Sequence, residues 1–205
     1  WVISREPFME KTSSWLDQLK LRMSFGLVGS DNVSTRFPYL SFYSGGSGYS
    51  FGQDFGTGLG GLKEGNLANE NLSWEKSRKF NLGIDLSTFN QRLNITADLF
   101  YEYRYDIITN MGDDGIMGFP SIVGTNAPLK NLGEVSNKGI DLEISWNDKI
   151  GRDFKYYIRP NLTFARNKLE YKAEVERKNG WRQETGRRLY ENFVYVFDHF
   201  VADQA

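Results

Sequence analysis

Polar and apolar residues alternate along long stretches of this chain. Over residues 78–88, Phe80, Leu82, Ile84 and Leu86 fall on one side and Lys79, Asn81, Gly83 and Asp85 on the other. A brief turn at 88–91 follows. The next run, 92–107, sets Leu93, Ile95, Ala97, Leu99, Tyr101, Tyr103, Tyr105 and Ile107 against Arg92, Asn94, Thr96, Asp98, Glu102, Arg104 and Asp106, with Phe100 the exception. Side chains alternate sides along a strand, so each run has one greasy wall and one wet wall. A globular strand is typically about 5–6 residues, and the second run is about three times that. A tilted strand crossing a bilayer takes about 9–11 residues plus its interfacial ends. These lengths predict an outer-membrane barrel wall rather than a soluble sandwich.

Three further strands follow the same rule. Residues 20–28 carry Leu21, Met23, Phe25 and Leu27 on the apolar side. Residues 134–146 turn Ile140, Leu142, Ile144 and Trp146 outward and Asn137, Gly139, Asp141, Glu143 and Ser145 inward. Residues 154–167 align Phe154, Tyr156, Ile158, Leu162 and Phe164. Pro160 interrupts this last run, and a bulge or a sheet edge would accommodate its missing N–H. Residues 4–18 lack alternation and predict a short helical or irregular connector. The tail, 170–205, is charged and then aromatic, with a sixth strand expected near 193–201.

Connections alternate too. Those after the first and third strands, 29–73 and 108–133, are long; those after the second and fourth are short. Every long loop therefore lies at one end, as in outer-membrane barrels. Tyr101, Tyr103 and Tyr105 fall at the loop end and Trp146, Phe154 and Tyr156 at the turn end, where amphipathic rings favour a membrane–water boundary. The expected fold is all-β: an antiparallel, up-and-down transmembrane β-barrel segment of about five or six strands. Its lipid-facing set is Leu21, Met23, Phe25, Phe80, Leu82, Ile84, Leu86, Leu93, Ile95, Leu99, Tyr101, Ile140, Leu142, Ile144, Trp146, Tyr156 and Ile158. The alternative is a soluble antiparallel β module that binds carbohydrate, its apolar face covered by a second sheet.

Composition narrows this further. The formal net charge of −1 suggests neither nucleic acid nor an anionic membrane surface as partner. No apolar run approaches the roughly 20 residues of a spanning helix, although barrel strands, being half apolar, escape such windows. Aromatics at 15% and 21 glycines suit long strands with aromatic girdles and glycine-rich loops. With no cysteine, disulfides and thiolate metal sites are excluded. The chain, running from Trp1 to Ala205 without a signal peptide, is read as an internal piece of a larger polypeptide.

Six ordered segments make the pattern specific. Asn71-Leu72-Ser73-Trp74-Glu75-Lys76-Ser77 resembles the "NLTWEKS" segment of SusC/RagA-type TonB-dependent outer-membrane transporters of Bacteroidetes. Lys20-Leu21-Arg22-Met23-Ser24-Phe25-Gly26-Leu27-Val28-Gly29 is similar to the strand that precedes it in that family. Asn81-Leu82-Gly83-Ile84-Asp85 and Ala97-Asp98-Leu99-Phe100-Tyr101 match the next two strands. Asn131-Leu132-Gly133-Glu134-Val135-Ser136-Asn137-Lys138-Gly139-Ile140-Asp141-Leu142 resembles "NxGxVxNKGxEL", and Phe164-Ala165-Arg166-Asn167-Lys168 resembles "YARNK". The motif positions carried over are Trp74, Glu75, Asn131, Gly133, Asn137, Gly139 and Asn167. Beyond Tyr171 the likeness weakens: Val194 and His199 stand where the family has glycines. The resemblance implies one domain over 1–205, part of a plugged, 22-stranded barrel in the bacterial outer membrane, with the plug and N-terminal domains outside this chain. It implies import of glycans or peptides, a SusD-like lipoprotein as lid, outer-membrane lipids around the wall, and the TonB complex acting through other parts of the receptor.

Candidate chemistry is sparse, and no catalytic residue, cofactor or metal is expected. His199 is the single histidine. Asp113-Asp114-Gly115 lacks the spaced oxygen ligands of a calcium loop. The loop 56–61 has no Lys-Ser/Thr end and cradles no phosphate. Asp85, Asp98, Glu102, Asp141 and Glu143 share wet faces with Arg92, Arg104 and Arg159, so ion pairs lining a lumen explain them better than a glycosidase pair. Tyr39, Tyr43, Tyr49, Phe119 and Trp181 sit on the loops, where flat rings stack on sugars, meet a partner protein or pack the loops together.

Overall fold

The computed structural model describes residues 1–31, 36–51, 57–110, 122, 124–125, 127–176, 178–192 and 194–197. Strands β1 (Leu16–Ser30), β4 (Glu75–Thr88), β5 (Leu93–Asn110) and β6 (Leu129–Ile150) lie side by side, all antiparallel, and β7 (Phe154–Ile158) and β8 (Asn161–Tyr171) both pair with the far edge of β6. The strands run longer than alternation suggested. β6 begins at Leu129 and ends at Ile150, because backbone pairing continues past the point where the apolar face stops.

Register turns the sequence pattern into two faces. Leu21, Ile84, Ala97, Leu142 and Leu162 form one cross-strand row. Met23, Leu82, Leu99, Ile140 and Phe164 form the next, and Leu19, Leu86, Ile95 and Ile144 a third. Leu93, Trp146 and Ile158 share a row at the turn end, with Tyr156 two residues on. Among the described residues nothing covers this face: Met23 and Phe25 are each 74% exposed and Phe164 58%. Leu16, Ala127, Leu169 and Ala173 are the buried apolar side chains among the described residues, and none belongs to the middle of that face. The second sheet that a soluble module requires is therefore missing from the described residues. Rings mark both ends: Tyr103 stacks on Tyr105 at the loop end, and Phe154 on Tyr156 at the turn end. From Tyr103 to Leu93 is about 33 Å of strand. At a tilt of 35–45° that is about 25 Å of height, the size of an outer-membrane apolar band.

The short turn after β4 is tight. Phe89, Asn90 and Gln91 all take left-handed φ values of 59°, 55° and 62°. The segment before β1 braces it: Asp17 accepts the Gln91 N–H at 2.8 Å, and the Thr88 hydroxyl donates to the Trp15 carbonyl. Two short 3-10 turns, Ile3–Arg5 and Pro7–Thr12, precede β1, which begins at Leu16 within the expected connector 4–18.

Four expectations need correction or narrowing. The connection 29–73 is not plain loop: β2 (Tyr43–Phe51) and β3 (Thr57–Glu64) form a separate two-stranded hairpin within it. At two of its glycines the backbones lie too close for a side chain: a Cβ on Gly48 would lie 2.3 Å from the Leu59 carbonyl oxygen, and one on Gly61 2.5 Å from that of Ser47. Second, Ile107 leaves the apolar face. A bulge with Asp106 at φ 56° shifts the register and sets Ile107 opposite Gly133. Third, of the two settings expected for Pro160 the structure shows the sheet edge and not the bulge, since β7 and β8 pair with β6 alone among the described strands. β7 and β8 share one continuous alignment on β6 across it, and the Pro160 carbonyl accepts the Ile144 N–H at 3.1 Å; the ladder loses the single bond that proline cannot donate. Fourth, in the expected strand at 193–201, residues 194–197 form no strand, and the rest lie outside the described residues.

Candidate functional site

The wet face carries an ordered charge network rather than scattered ions. Arg22 on β1 reaches over Gly83 on β4. Its Nε and Nη2 donate to Asp85 at 2.9 and 3.0 Å, and Nη2 also donates to Asp98 on β5 at 2.9 Å. The absent side chain at Gly83 makes this possible, because a Cβ there would lie 2.6 Å from Arg22 Cζ. Lys20 stands 3.9 Å from the same Asp85. Towards the loop end Glu102 gathers Lys79 at 3.6 Å, Arg104 at 3.3 Å and the Ser77 hydroxyl at 2.7 Å. Arg159 lies 3.6 Å from Glu143. These pairings occupy Asp85, Asp98, Glu102 and Glu143. Asp98 and Asp141, opposite each other across β5 and β6, each keep a buried Oδ1 without a hydrogen bond. Among the described residues no three acidic or histidine side chains converge as metal ligands do.

One charge departs from the expected arrangement, and another lies outside it. Arg92 belongs to the short turn and pairs with Asp148 at 3.5 Å, at the far end of β6. Arg22 was legible only as part of a strand. Its parity with Lys20 and its alignment with the inward Asp85 and Asp98 were the signal available.

Three of the family-motif residues, Asn131, Glu75 and Asn167, hydrogen-bond to backbone groups towards the loop end. Asn131 donates from Nδ2 to the carbonyls of Ser73 and Asp106, both at 2.7 Å, and accepts the Ser73 N–H at 2.9 Å. It thereby clasps the end of the β1–β4 connection to the β5 bulge. Glu75 accepts the Ile108 N–H just past that bulge at 3.1 Å. Trp74 lies over Gly29, where a Cβ would meet its ring at 3.0 Å. Gly133 leaves space for Ile107. Asn167 accepts the Leu189 N–H at 2.9 Å and anchors the segment after β8. Asn137 lies between Glu102 and Asn167 in register. Gly139 lies between Phe100 and Ala165, and the Phe100 ring fills the space above it. That explains the single aromatic exception on the wet side of β5.

Beyond β8, Glu174 organises the returning chain. Its two carboxylate oxygens accept the backbone N–H groups of Glu184 and Thr185 at 3.0 and 2.7 Å. Burial pushes this carboxyl up, but the hydrogen bonds from Thr185 and from those backbone groups outweigh it. Glu174 is thus held below the ordinary carboxylate range.

The loop aromatics are dispersed. Tyr39 meets Phe37 edge-on, Tyr43 and Tyr49 lie on β2, and Trp181 sits beside Arg182 in a 3-10 turn after β8. All four are about half or more exposed. Phe119, His199 and the Asp113-Asp114-Gly115 turn lie outside the described residues.

Residues 14–192 match the family described as TonB dependent receptor-like, beta-barrel. A TonB-dependent receptor of Formosa agariphila is 29% identical over 93% of this chain, and the TonB-dependent receptor SusC of Bacteroides thetaiotaomicron 28% identical over 82%. The chain spans 16% of the length of each of these curated relatives. Among solved structures, the RagAB peptide transporter aligns with a TM-score of 0.65 at 26% identity, over 83% of this chain and 17% of that one. The closed-closed state of the RagAB peptide importer, at 23% identity and a TM-score of 0.70 over 91% of this chain and 20% of that one, shares the fold. An uncovered apolar face, an ion-paired wet face and long connections at a single end thus meet in a chain that belongs to the TonB-dependent receptor β-barrel family, of the SusC/RagA type found in the bacterial outer membrane.

Proposed function

We propose that this chain forms part of the barrel wall of a TonB-dependent importer for nutrients such as glycans or peptides, and that it performs no catalysis. One observation carries the reading: a single sheet with an uncovered apolar face and a wet face closed by ion pairs. Such a sheet is built to separate lipid from an aqueous lumen. In this reading the apolar rows from Leu21 to Ile158 contact lipid, and Arg22, Asp85, Asp98 and Glu102 line the lumen. Tyr39, Tyr43, Tyr49 and Trp181 face a SusD-like lipoprotein or the nutrient. Energy comes from the TonB complex through other parts of the receptor. The name of the RagAB peptide transporter among the similar structures supports a peptide as one candidate cargo.

The test uses the full-length receptor in intact cells. A protease site inserted at Ser41 should be cut from outside, while one at Asn90 should be protected. Uptake of a labelled glycan or peptide should disappear when TonB is deleted. Equal cleavage at both sites would overturn the wall orientation. Uptake independent of TonB would overturn the importer reading while leaving the wall intact.

A further inference from the structure

The β2–β3 hairpin leaves one strand edge open. Among the described strands β2 pairs with β3 alone, with Tyr43 opposite Glu64 and Gly45 opposite Leu62. The Gly65 N–H donates to the Phe42 carbonyl at 2.7 Å, and from that pair hydrogen-bonded and non-hydrogen-bonded positions alternate along the ladder. Tyr43 and Gly45 therefore point their N–H and C=O groups away from β3. Among the described residues these groups have no partner, and Tyr43, Ser44 and Gly45 are exposed. Proteins ordinarily blunt such an edge with charge, proline or a bulge. The outer edge of β3 carries Lys63 and Glu64, and a bulge at 47–48 ends the open part of β2. The run Tyr43-Ser44-Gly45-Gly46 has none of these devices.

An apolar pocket lies at the foot of this edge. Pro38, Leu40, Phe42, Leu67 and Leu129 line a cavity of about 190 Å³, and Phe42 directly precedes Tyr43. The Asn69 side-chain amide donates to the Leu129 carbonyl at 2.8 Å and ties the pocket to the start of β6. An apolar cavity of about 150 Å³ takes up benzene, so this one has room for a leucine or phenylalanine side chain. Asn66 is the one polar residue in its lining, too little to satisfy the hydroxyls of a sugar ring. Unpaired main-chain groups beside a side-chain pocket are the arrangement that recognises an extended peptide: the ladder gives affinity and the pocket selects the side chain. We propose that residues 43–46 bind cargo in the form of a peptide, which adds to the hairpin as a further strand and sets one apolar side chain among Leu40, Phe42, Leu67 and Leu129. The site rests on the importer reading and deepens it, because it selects a peptide over a glycan.

The probes are capped pentapeptides that differ in their central residue, which is leucine, phenylalanine, serine or aspartate. Each is titrated by calorimetry against the full-length receptor in nanodiscs. The leucine and phenylalanine peptides should bind about 10-fold more tightly than the serine peptide. N-methylation of alternate amides of the leucine peptide should weaken binding about 25-fold in one frame, at about a factor of five for each hydrogen bond lost, and leave it unchanged in the other. Gly45→Pro removes an edge N–H that β3 does not use, and a Cβ at Gly45 meets nothing within 4 Å. This variant should migrate as a folded barrel on unheated gels and lose the peptide. Failure of all four peptides to bind, full tolerance of N-methylation in both frames, or unchanged binding by Gly45→Pro would each overturn the site. Binding of a linear glucan that Gly45→Pro abolishes would overturn the choice of peptide, as would capture of the purified SusD-like lipoprotein at this edge in place of the peptides. A receptor that binds the peptide but imports neither peptide nor glycan in cells carrying TonB would overturn the importer reading and leave the edge site standing.

Discussion

Replacing Gly139 by alanine tests how closely the sheet is packed at the centre of β6. An alanine Cβ there would lie 2.3 Å from the Phe164 carbonyl oxygen on β8, and 2.5 and 2.8 Å from two atoms of the Phe100 ring on β5. An ordinary carbon–oxygen contact is about 3.3–3.6 Å, so β8 must retreat by about 1 Å where Gly139 faces Ala165. The ring can move aside, but the carbonyl belongs to the ladder and cannot. Overpacking of this kind costs about 1–3 kcal/mol. Removing a strand glycine returns about 0.5–1 kcal/mol. The net is a destabilisation of about 0–2.5 kcal/mol, and its centre of about 1 kcal/mol is about 5-fold in the unfolding equilibrium. Gly26 is the control, since it lies on the same wet side of β1 and a Cβ there meets nothing within 4 Å. Gly26→Ala should be neutral or mildly stabilising. Combining Gly139→Ala with Phe100→Ala should cost less than the sum of the two, because the ring contacts vanish while the carbonyl contact stays. Urea unfolding of the full-length receptor in micelles, followed by the shift between folded and unfolded bands on unheated gels, measures all four variants. A Gly139→Ala receptor as resistant as Gly26→Ala would refute the packing argument.

Three further predictions concern the charge network and the loop rim. Arg22→Lys should destabilise the barrel by about 1–2 kcal/mol, because an ammonium cannot reproduce the forked bond to Asp85 while also reaching Asp98; urea midpoints equal to wild type would contradict this. Asn131→Ala removes three hydrogen bonds and should cost about 1.5–3 kcal/mol, with faster hydrogen exchange at Ser73 and around the β5 bulge. Asn131→Asp should be worse, since it turns an acceptor towards the carbonyls of Ser73 and Asp106, and an aspartate variant as stable as wild type would exclude the clasp. For Glu174, a folded-state pKa below the unfolded value means its stabilisation is complete above the ordinary carboxylate range near about 4.3. It is lost as pH falls through the lower folded value. Limited proteolysis should therefore find the 172–191 segment protected at neutral pH and opened by acid, and Glu174→Gln should remove most of that pH dependence.

The wall was legible because alternation is a local property. Each residue from Phe80 to Tyr101 declares its side through its neighbours two positions away, and register merely aligns the declarations. What escaped depends on partners distant in sequence. The bulge at Asp106 turns Ile107 by one position and leaves no mark in composition. The β2–β3 hairpin has glycines where a strand would show apolar residues, so its pairing is visible only when Gly46 stands opposite Gly61. Arg22 became a bridging residue only once Gly83 left a space beneath it. The motif positions fared differently. Asn131, Glu75 and Asn167 could be quoted from the resemblance, but their shared work of bonding backbone groups at the loop end needed the fold.

The alternation of short and long connections also orders the events of assembly. The turn between β4 and β5 is about four residues, whereas about 40 separate β1 from β4. Closing the longer loop costs about 2 kcal/mol more in chain entropy. Hairpins β4–β5 and β6–β7 can therefore zip from their turn ends as independent units, and β1–β4 and β5–β6 must wait for a diffusive search. The chain enters the wall two strands at a time, and the clasp of Asn131 on Ser73 and Asp106 sits where the slow seams must finally close.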